Sequence, residues 1–473
     1  MTKKTVCLLA EGSYPYVFGG VSSWIQDLIT SMPEREFKVL SIMPSRHDMM
    51  ECKYILPPNL IEMTTIYLQD FKILDPTPRY FNPELSSEEI KSIRDFLRFD
   101  MNIDWEIAAR TLGNVEKLGN PIEFLHSKLF WNLLVEFYEE RYAIEGFNEF
   151  FWTLRSMFVF FITIMQSKLP EADIYHAVST GYPGLLGVMA SHSHKKPFIL
   201  TEHGIYARER EEDIIKAQWV KGVYKKMWID FFYFISKGAY LSADSVVSLF
   251  ERNRQFQVEL GSHPDKTCVI ANGIDSSAYT FTKEEHAHCI IGALLRLVPI
   301  KDVKTLIRAF SLVLREFPHT QLYILGPYDE DKDYYNECVK LVGYLELGES
   351  VVFTGRVKPL EYLPKFDIMV LTSISEGQPL VILEGMASGI PYVSTDVGSC
   401  RELLEGRDGD EIGKAGIIVK PVSPAETAQA LRTLLKSKKL RQEMGKCGRL
   451  RAEIHYKKTA FVDAYREIYE RYD

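Results

Sequence analysis

The sequence predicts an α/β protein built on two parallel sheets, and three observations carry that prediction. Short apolar, β-branched runs recur along the 473 residues, with segments of helical periodicity between them, which is the pattern of parallel strands covered by helices. The series of runs restarts after a polar, turn-rich stretch, NGIDSSAYTFTKEE at 272–285, so two sheets are implied. Most runs end in a glycine, a charge or both, and in open α/β sheets ligands gather at the carboxyl ends of strands.

The first series is expected at Thr5–Ala10, Val39–Met43, Ile174–Val178, Phe198–Thr201, Ser245–Leu249 and Cys268–Ala271. The second is expected at Ile290–Leu297, Gln321–Leu325, Val351–Thr354, Ile368–Thr372, Tyr392–Thr395 and Gly416–Val419. Thr5–Ala10 is an apolar stretch of six residues between two lysines and Glu11, too short for a signal-peptide core, so it reads as a first strand. In FGGVSSW, Gly19 and Gly20 precede a helix expected to begin near Ser22. Between Leu74 and Met165 the strand rhythm stops and aromatic segments such as WNLLVEFYEERYAIEGF, from Trp131, take over. A helical insertion at about 75–165 follows. Phe150–Met165 contains Arg155 and falls short of the ~20 apolar residues that span a bilayer. The aromatic stretches Phe147–Met165 and Met227–Ile235 are assigned to core packing over a partner-facing surface. Thr459–Asp473 reads as an amphipathic helix. The boundary between domains is set near residue 280, giving 1–280, 281–455 and a terminal helix at 456–473.

With 46% apolar and 25% charged residues, the composition excludes disordered, collagen-like and small disulfide-stapled classes. Fifty-six Lys and Arg against 64 Asp and Glu give a net charge of −8, which lacks the basic footprint of a nucleic-acid binder. Seven cysteines are scattered singly with no CxxC pair, as befits thiols in a reducing cytosol. A soluble cytoplasmic protein is expected, visiting a membrane only through partners.

The strongest chemical signal is SEGQPLVILEGMASGIP, where Glu376 and Glu384 stand eight positions apart. Gly377, Gln378, Pro379 and Leu380 open a helix whose free amides make an anion site, and Glu384, about one turn inside, is placed to accept hydrogen bonds from ribose hydroxyls. The alternative is an amphipathic helix with two solvated carboxylates. In LLRLVPIKDVKTLIRAF, Arg296 and Lys301 bracket a strand-to-helix turn and suit a diphosphate clamp, Arg as a planar fork and Lys as a point charge; a surface ion pair is the alternative. Gly19 and Gly20 let backbone approach a ligand at a helix start. His203, among Glu202, Gly204 and Tyr206 in TEHGIYARER, is either structural or part of the site.

The order GG, EHG, NGID, R-x4-K, FTG and E-x7-E resembles retaining glycosyltransferases of the GT-B fold, family four, over nearly the whole chain. EGSYPYVFGGVSSW, TEHGIYARER and the aromatic insertion resemble, more narrowly, the PelF group of cytosolic glycosyltransferases of Pel exopolysaccharide synthesis. The resemblance implies two Rossmann-like domains facing a central cleft, with the terminal helix crossing back to the first. It implies that Arg296 and Lys301 hold the donor diphosphate and Glu384 the ribose, and that Glu376 with the amides of Gly377 to Leu380 meets the donor sugar and phosphate. It also implies that His203 sits beside the reacting sugar, that Gly19 and Gly20 approach the phosphates, and that Arg356 or Val357, after FTG, lies near the base. The catalytic set is then His203, Glu376, Arg296 and Lys301. The implied partners are a UDP-sugar as substrate, a polysaccharide or sugar acceptor and membrane-embedded Pel-type synthase components. No cofactor and no metal are expected. In LGPYDED the family's first glycine is replaced by Ile324, while Gly326 and Pro327 remain.

Other functional motifs are incomplete or only loosely matched in this sequence. A metal-dependent transferase would need an Asp-x-Asp, for which Asp329-Glu-Asp331, Asp331-Lys-Asp333 and Asp408-Gly-Asp410 are the matches; all read as solvated loop acids. His192-Ser-His194 and His286-x-His288-Cys289 lack a partner pair for zinc. Gly409, Gly413 and Lys414 have the wrong spacing for a phosphate loop, with Ala415 in place of Ser or Thr, and no GxGxxG follows a strand. A catalytically idle nucleotide-sugar-binding scaffold and a sugar-nucleotide epimerase are the remaining function classes.

Overall fold

The computed structural model describes residues 3–46, 51–73 and 82–473. The chain forms two compact units, Met1–Ile270 with Tyr465–Asp473, and Ala271–Ala464. The N-terminal unit carries β1 (Thr5–Glu11), β2 (Glu36–Met43), β3 (Leu60–Tyr67), β4 (Ile174–Ala177), β5 (Phe198–Glu202), β6 (Ser245–Ser248) and β7 (Thr267–Val269). The C-terminal unit carries β8 (Ile290–Leu294), β9 (Gln321–Leu325), β10 (Val351–Gly355), β11 (Ile368–Leu371), β12 (Tyr392–Thr395) and β13 (Gly416–Val419).

Both sheets are parallel and Rossmann-like. The first runs β3-β2-β1-β4-β5-β6-β7 and the second β10-β9-β8-β11-β12-β13. Each therefore reverses direction beside its first strand, between β1 and β4 and between β8 and β11. All twelve runs read from the sequence are strands, and β3 is the one the reading missed. Its LIEMTTIY lies at a sheet edge and is mostly half-exposed, so it needs no continuous apolar run. β4, β5, β6, β11 and β12 are buried along their whole length, as strands covered on both faces must be.

Of the helical insertion expected at about 75–165, positions 75–81 lie outside the described residues. The remainder supplies six helices, from Ser87–Leu97 to Phe147–Met165. Ser86 begins the first with a reciprocal capping box to Glu89. Phe96 stands at the centre of the insertion's aromatic core, with Phe161 at 4.0 Å, Phe234 at 5.0 Å and Phe158 at 5.6 Å. Phe147–Met165 and Val223–Ser242 thus pack their aromatic faces inward, in agreement with the core assignment, and among the described residues no helix is long and apolar enough to cross a membrane.

The turn-rich NGID segment belongs to the C-terminal unit because the Asn272 amide donates to Gln378 Oε1 (2.5 Å) and the Ile274 amide to the Tyr456 carbonyl (2.7 Å). The last helix, Lys458–Glu470, ends within the N-terminal unit. There Tyr469 bonds His176 Nδ1 at 2.7 Å, Tyr465 bonds Thr201 at 3.0 Å and Asp473 pairs with Arg35 at 2.7 Å.

The C-terminal unit also buries a whole guanidinium. Arg451, fully enclosed, pairs with Asp410 at 2.7 Å and donates to the carbonyls of Leu404 (3.1 Å) and Gly413 (2.5 Å). Removing the cation strands a buried carboxylate and those carbonyls, a loss of about 3–5 kcal/mol. Arg451→Leu is expected to lower unfolding free energy by that amount in chemical denaturation, with far less loss for Arg449→Leu at the surface.

Candidate functional site

In the C-terminal unit the site grows from the reversal between β8 and β11. The loop after β8 makes a short turn at Pro299–Lys301, and Asp302, at φ +43°, caps the helix Val303–Leu314 through the Thr305 amide. The loop after β11 is stitched to it. Thr372 Oγ1 donates to the Lys301 and Asp302 carbonyls (3.2 and 3.1 Å), and the Ile374 amide donates to the Ile300 carbonyl (2.8 Å). On this frame Lys301 Nζ and Ser373 Oγ both donate to Glu376 Oε1, each at 2.5 Å. With side chains only 17% and 10% exposed, the Lys301–Glu376 pair is largely withdrawn from water and its geometry is fixed from three sides.

The residues after Glu376 divide into structural and open groups. Gly377 offers its carbonyl to the Ser399 amide (3.0 Å). Gln378 is buried and turned toward Asn272, so its carboxamide oxygen staples NGID to this loop, while Nε2 has no hydrogen-bond partner among the described residues. Pro379 precedes the helix Leu380–Ala387, which has no side-chain cap and no acid in its first turn, leaving its leading amides to an external acceptor. Glu384 lies one turn in. Its Oε2 is enclosed without a hydrogen-bond partner, and burial lifts the carboxyl to about 7.

The other predicted cation faces elsewhere. Arg296 Nη1 donates to both oxygens of Glu330 (2.7 and 2.9 Å), and both side chains are nearly half exposed. Arg356 is exposed just after Gly355, whereas Val357 packs half-buried against the C-terminal core. Of the Asp-x-Asp acids read as solvated, Asp331 caps the helix Lys332–Tyr344, and Asp410 is buried against Arg451 and not solvated. His192 bonds Ser242 and His288 stacks on His319. Among the described residues no three His, Cys, Asp or Glu side chains group to hold a metal ion.

The N-terminal unit gathers its candidates at the matching reversal. Gly19, extended at φ 174°, precedes the helix Gly20–Thr30. That backbone suits any residue, and a Cβ on Gly19 or Gly20 would meet nothing within 4 Å. Neither packing nor conformation demands glycine there, so the pair leaves space open over a helix start. His203, at the end of β5, meets the edge of Trp24 from that helix at 5.0 Å. Burial lowers its pKa to about 4, so the ring is neutral, and its Nε2 is enclosed with no hydrogen-bond partner.

Glu11 escaped the sequence reading, and Glu202 and Tyr206 entered it only as the setting of His203. Glu11 ends β1 with Oε2 enclosed and unpartnered; burial raises its pKa to about 7 against the opposing pull of Arg210 and hydrogen bonds from Tyr182 and Tyr206. Tyr206 in turn packs where a Cβ on Gly181 would fall, 2.2 Å from its ring. The one available signal was an acid followed by glycine at a carboxyl strand end. Beneath them Glu202, fully buried, accepts from Tyr240 (2.6 Å), the Tyr206 amide (2.9 Å), Thr180 (3.0 Å) and Gln257 (3.1 Å). Four donors hold a carboxylate that burial alone would push toward the neutral form.

Residues 4–265 match the family model described as a domain of unknown function, DUF3492, over more than half of the chain, and the protein belongs to that family. Residues 288–437 match the model for glycosyl transferases group 1, so the C-terminal unit is of group 1 glycosyltransferase type. Among curated relatives, an alpha-monoglucosyldiacylglycerol synthase of Streptococcus pneumoniae is 26% identical over 54% of this chain and 56% of its own length. A D-inositol 3-phosphate glycosyltransferase of Nocardia farcinica is 28% identical over 44% and 48%. The chain thus spans about half the length of these relatives. Among solved structures, sucrose-phosphate synthase of Thermosynechococcus elongatus superposes with TM-score 0.63 at 16% identity, covering 99% of both chains. HepE of Anabaena in complex with UDP gives TM-score 0.63 at 16% identity over 99% of this chain and 100% of that one. The architecture is the GT-B fold.

If the glycines over the first helix serve access and not folding, their replacement is structurally harmless. Gly20→Ala is expected to leave thermal stability unchanged or to raise it by up to about 1 kcal/mol, the helix-propensity gain. Gly326→Ala is the contrast: at φ +142° its Cβ would lie 1.8 Å from the Leu295 carbonyl oxygen, and the melting temperature should fall sharply.

Proposed function

We propose that this protein transfers a sugar from a nucleotide-sugar donor, a UDP-sugar, to a growing exopolysaccharide with retention of anomeric configuration, as a PelF-type enzyme serving membrane-embedded synthase partners in the cytoplasm. The observation that carries the reading is the Lys301–Glu376 centre beside an uncapped helix start, at the sheet reversal of the unit that matches group 1 glycosyltransferases. The fold it shares with HepE, a protein crystallised with UDP, and the motif order point the same way.

The chemistry follows from charge. Breaking the glycosidic bond leaves an oxocarbenium-like sugar and a nucleoside diphosphate of growing negative charge, and preorganised positive groups stabilise that departure. Lys301 supplies a fixed ammonium, the Leu380–Ala387 helix its leading amides, and Arg296 a fork once it leaves Glu330. Glu384 accepts the ribose hydroxyls. Glu376 orients Lys301 and meets the donor sugar. His203, neutral, hydrogen-bonds sugar hydroxyls. Same-face attack, with the departing phosphate taking the acceptor proton, gives retention without an enzyme nucleophile. Neither a metal nor a cofactor takes part.

A calorimetric screen of UDP, GDP, ADP and their sugars, followed by product analysis, tests the reading. A UDP-sugar should bind and be transferred or hydrolysed in excess chelator. Lys301→Ala and Arg296→Ala should each lower turnover about a hundredfold or more, and near-native rates would end the clamp model.

The Glu384 carboxyl, lifted to about 7, gives a pH signature. Below that value it is protonated, and an ionised acceptor bonds hydroxyls more strongly than a neutral one. UDP-sugar affinity should therefore rise from pH 6 to pH 8. Glu384→Gln should flatten that rise while keeping the weaker, low-pH affinity.

A further inference from the structure

A second feature of the N-terminal unit lies away from the strand ends. The helices Phe147–Met165 and Val223–Ser242, with the chain entering the second, enclose a groove of about 320 Å³. Its walls carry Trp152 and Trp219, which remain 58% and 70% exposed, over a floor that includes the buried Trp228. Lone exposed apolar residues need no explanation, but two exposed indoles facing one concavity do. The Arg155 guanidinium, 5.8 Å from the Trp152 ring centroid, steadies one indole, and Trp219 meets the edge of Trp228 at 5.7 Å.

The same groove is lined by Asn148, Thr153 and Ser156, small donors and acceptors of the kind that fix a ligand's orientation. The groove's charges cancel: Lys221 pairs with Glu149 at 3.1 Å. Of the lysines nearby in sequence, Lys226 pairs with Asp230 at 2.7 Å and Lys216 with Glu212 at 3.7 Å, while Lys225 donates to the Ile215 carbonyl (2.6 Å), so little cationic charge is left to draw anionic lipid. A concave, neutral site of aromatic faces and hydroxyl or amide groups matches the chemistry of a pyranose chain. The axial C–H face of each ring settles on the electron-rich indole, and its hydroxyl rim bonds the amide and hydroxyls.

Its position suits such a ligand. Ser236 of the second helix donates to Thr180 (3.0 Å), just past the end of β4. From Ser236 back to Trp228 and Val223 the helix rises about 12 and 20 Å. The groove therefore stands one to two tens of ångströms along this helix from the strand-end level where Glu11 and His203 lie, a span of a few sugar residues.

We propose that this groove binds a neutral oligosaccharide, as a secondary subsite that retains the acceptor chain away from its reacting end. The acceptor role rests on the transferase reading; glycan binding as such does not. The test titrates the full-length protein with maltohexaose, cellohexaose and chitohexaose, following indole fluorescence and calorimetric heat, alongside UDP as a separate ligand. At least one hexasaccharide should bind. Trp152→Ala and Trp219→Ala should each weaken it about tenfold or more, Trp219→Phe should retain most of the affinity, and melting temperature and UDP affinity should not change. No binding of any of the three, or binding that the double alanine variant leaves intact, overturns the proposal. So does tryptophan-dependent sedimentation with phosphatidylglycerol vesicles in a protein that ignores all three sugars. Loss of UDP binding by the wild-type protein would count against the transferase reading and leave the glycan result standing.

Discussion

The C-terminal unit is organised around one partly buried charge pair, Lys301 with Glu376. A lysine and a glutamate this far from water are tolerable only when they pair closely and further hydrogen bonds hold them. Here Ser373 supplies a second donor to the same carboxylate oxygen, and Thr372 and Ile374 tie the two loops together through the backbone. The sheet order makes this possible, since only at the β8/β11 reversal do two carboxyl-end loops lie side by side with no crossover between them. Topology delivers the loops, and the charge pair fixes what they present.

The N-terminal unit solves a comparable problem with a different balance. Glu202 is fully enclosed, yet four donors satisfy it. The saturated carboxylate holds the Tyr206 amide and so the turn that carries His203. Above it, Glu11 Oε2 and His203 Nε2 are enclosed without hydrogen-bond partners. A buried polar atom left unpaired costs about 1–3 kcal/mol, so both atoms are placed to gain from a partner. Other enclosed unpartnered atoms lie in helices, Ser92 and Thr111 among them; what sets Glu11 and His203 apart is their place at the carboxyl ends of β1 and β5, where ligands of such sheets gather.

Most of the fold was legible because parallel strands covered on both faces must be written as β-branched runs, and Tyr392–Thr395 or Gln321–Leu325 can be read off directly. The edge strand Leu60–Tyr67 was not, since half-exposed positions admit Glu62, Thr64 and Thr65. Lys301 and Glu376 were legible as strand-end polar residues, though not as partners of each other. The bond from the Asn272 amide to the Gln378 side chain joins positions over a hundred residues apart, and no local pattern records it. Glu11 was missed for the same reason: the burial that raises it and the Arg210, Tyr182 and Tyr206 groups that oppose the rise are set by the tertiary fold, those three on later elements.

The two cations of the expected clamp differ in how available they are, and that difference has a physical reading. Arg296 and Glu330 form an exposed pair on mobile-length side chains, an arrangement worth about 0–1 kcal/mol in water. Releasing Arg296 to a diphosphate therefore costs little, and its planar fork gains two charge-assisted bonds in exchange. Lys301 is different: its partner is shielded and held by two donors, Lys301 itself and Ser373, so Lys301 cannot leave without depriving a shielded carboxylate of its cation. An anion reaching Lys301 must be added to the pair, sharing an ammonium that has three donors. In the proposed clamp Lys301 would then be the fixed charge and Arg296 the adjustable one, an asymmetry that follows from the burial of one pair and the exposure of the other.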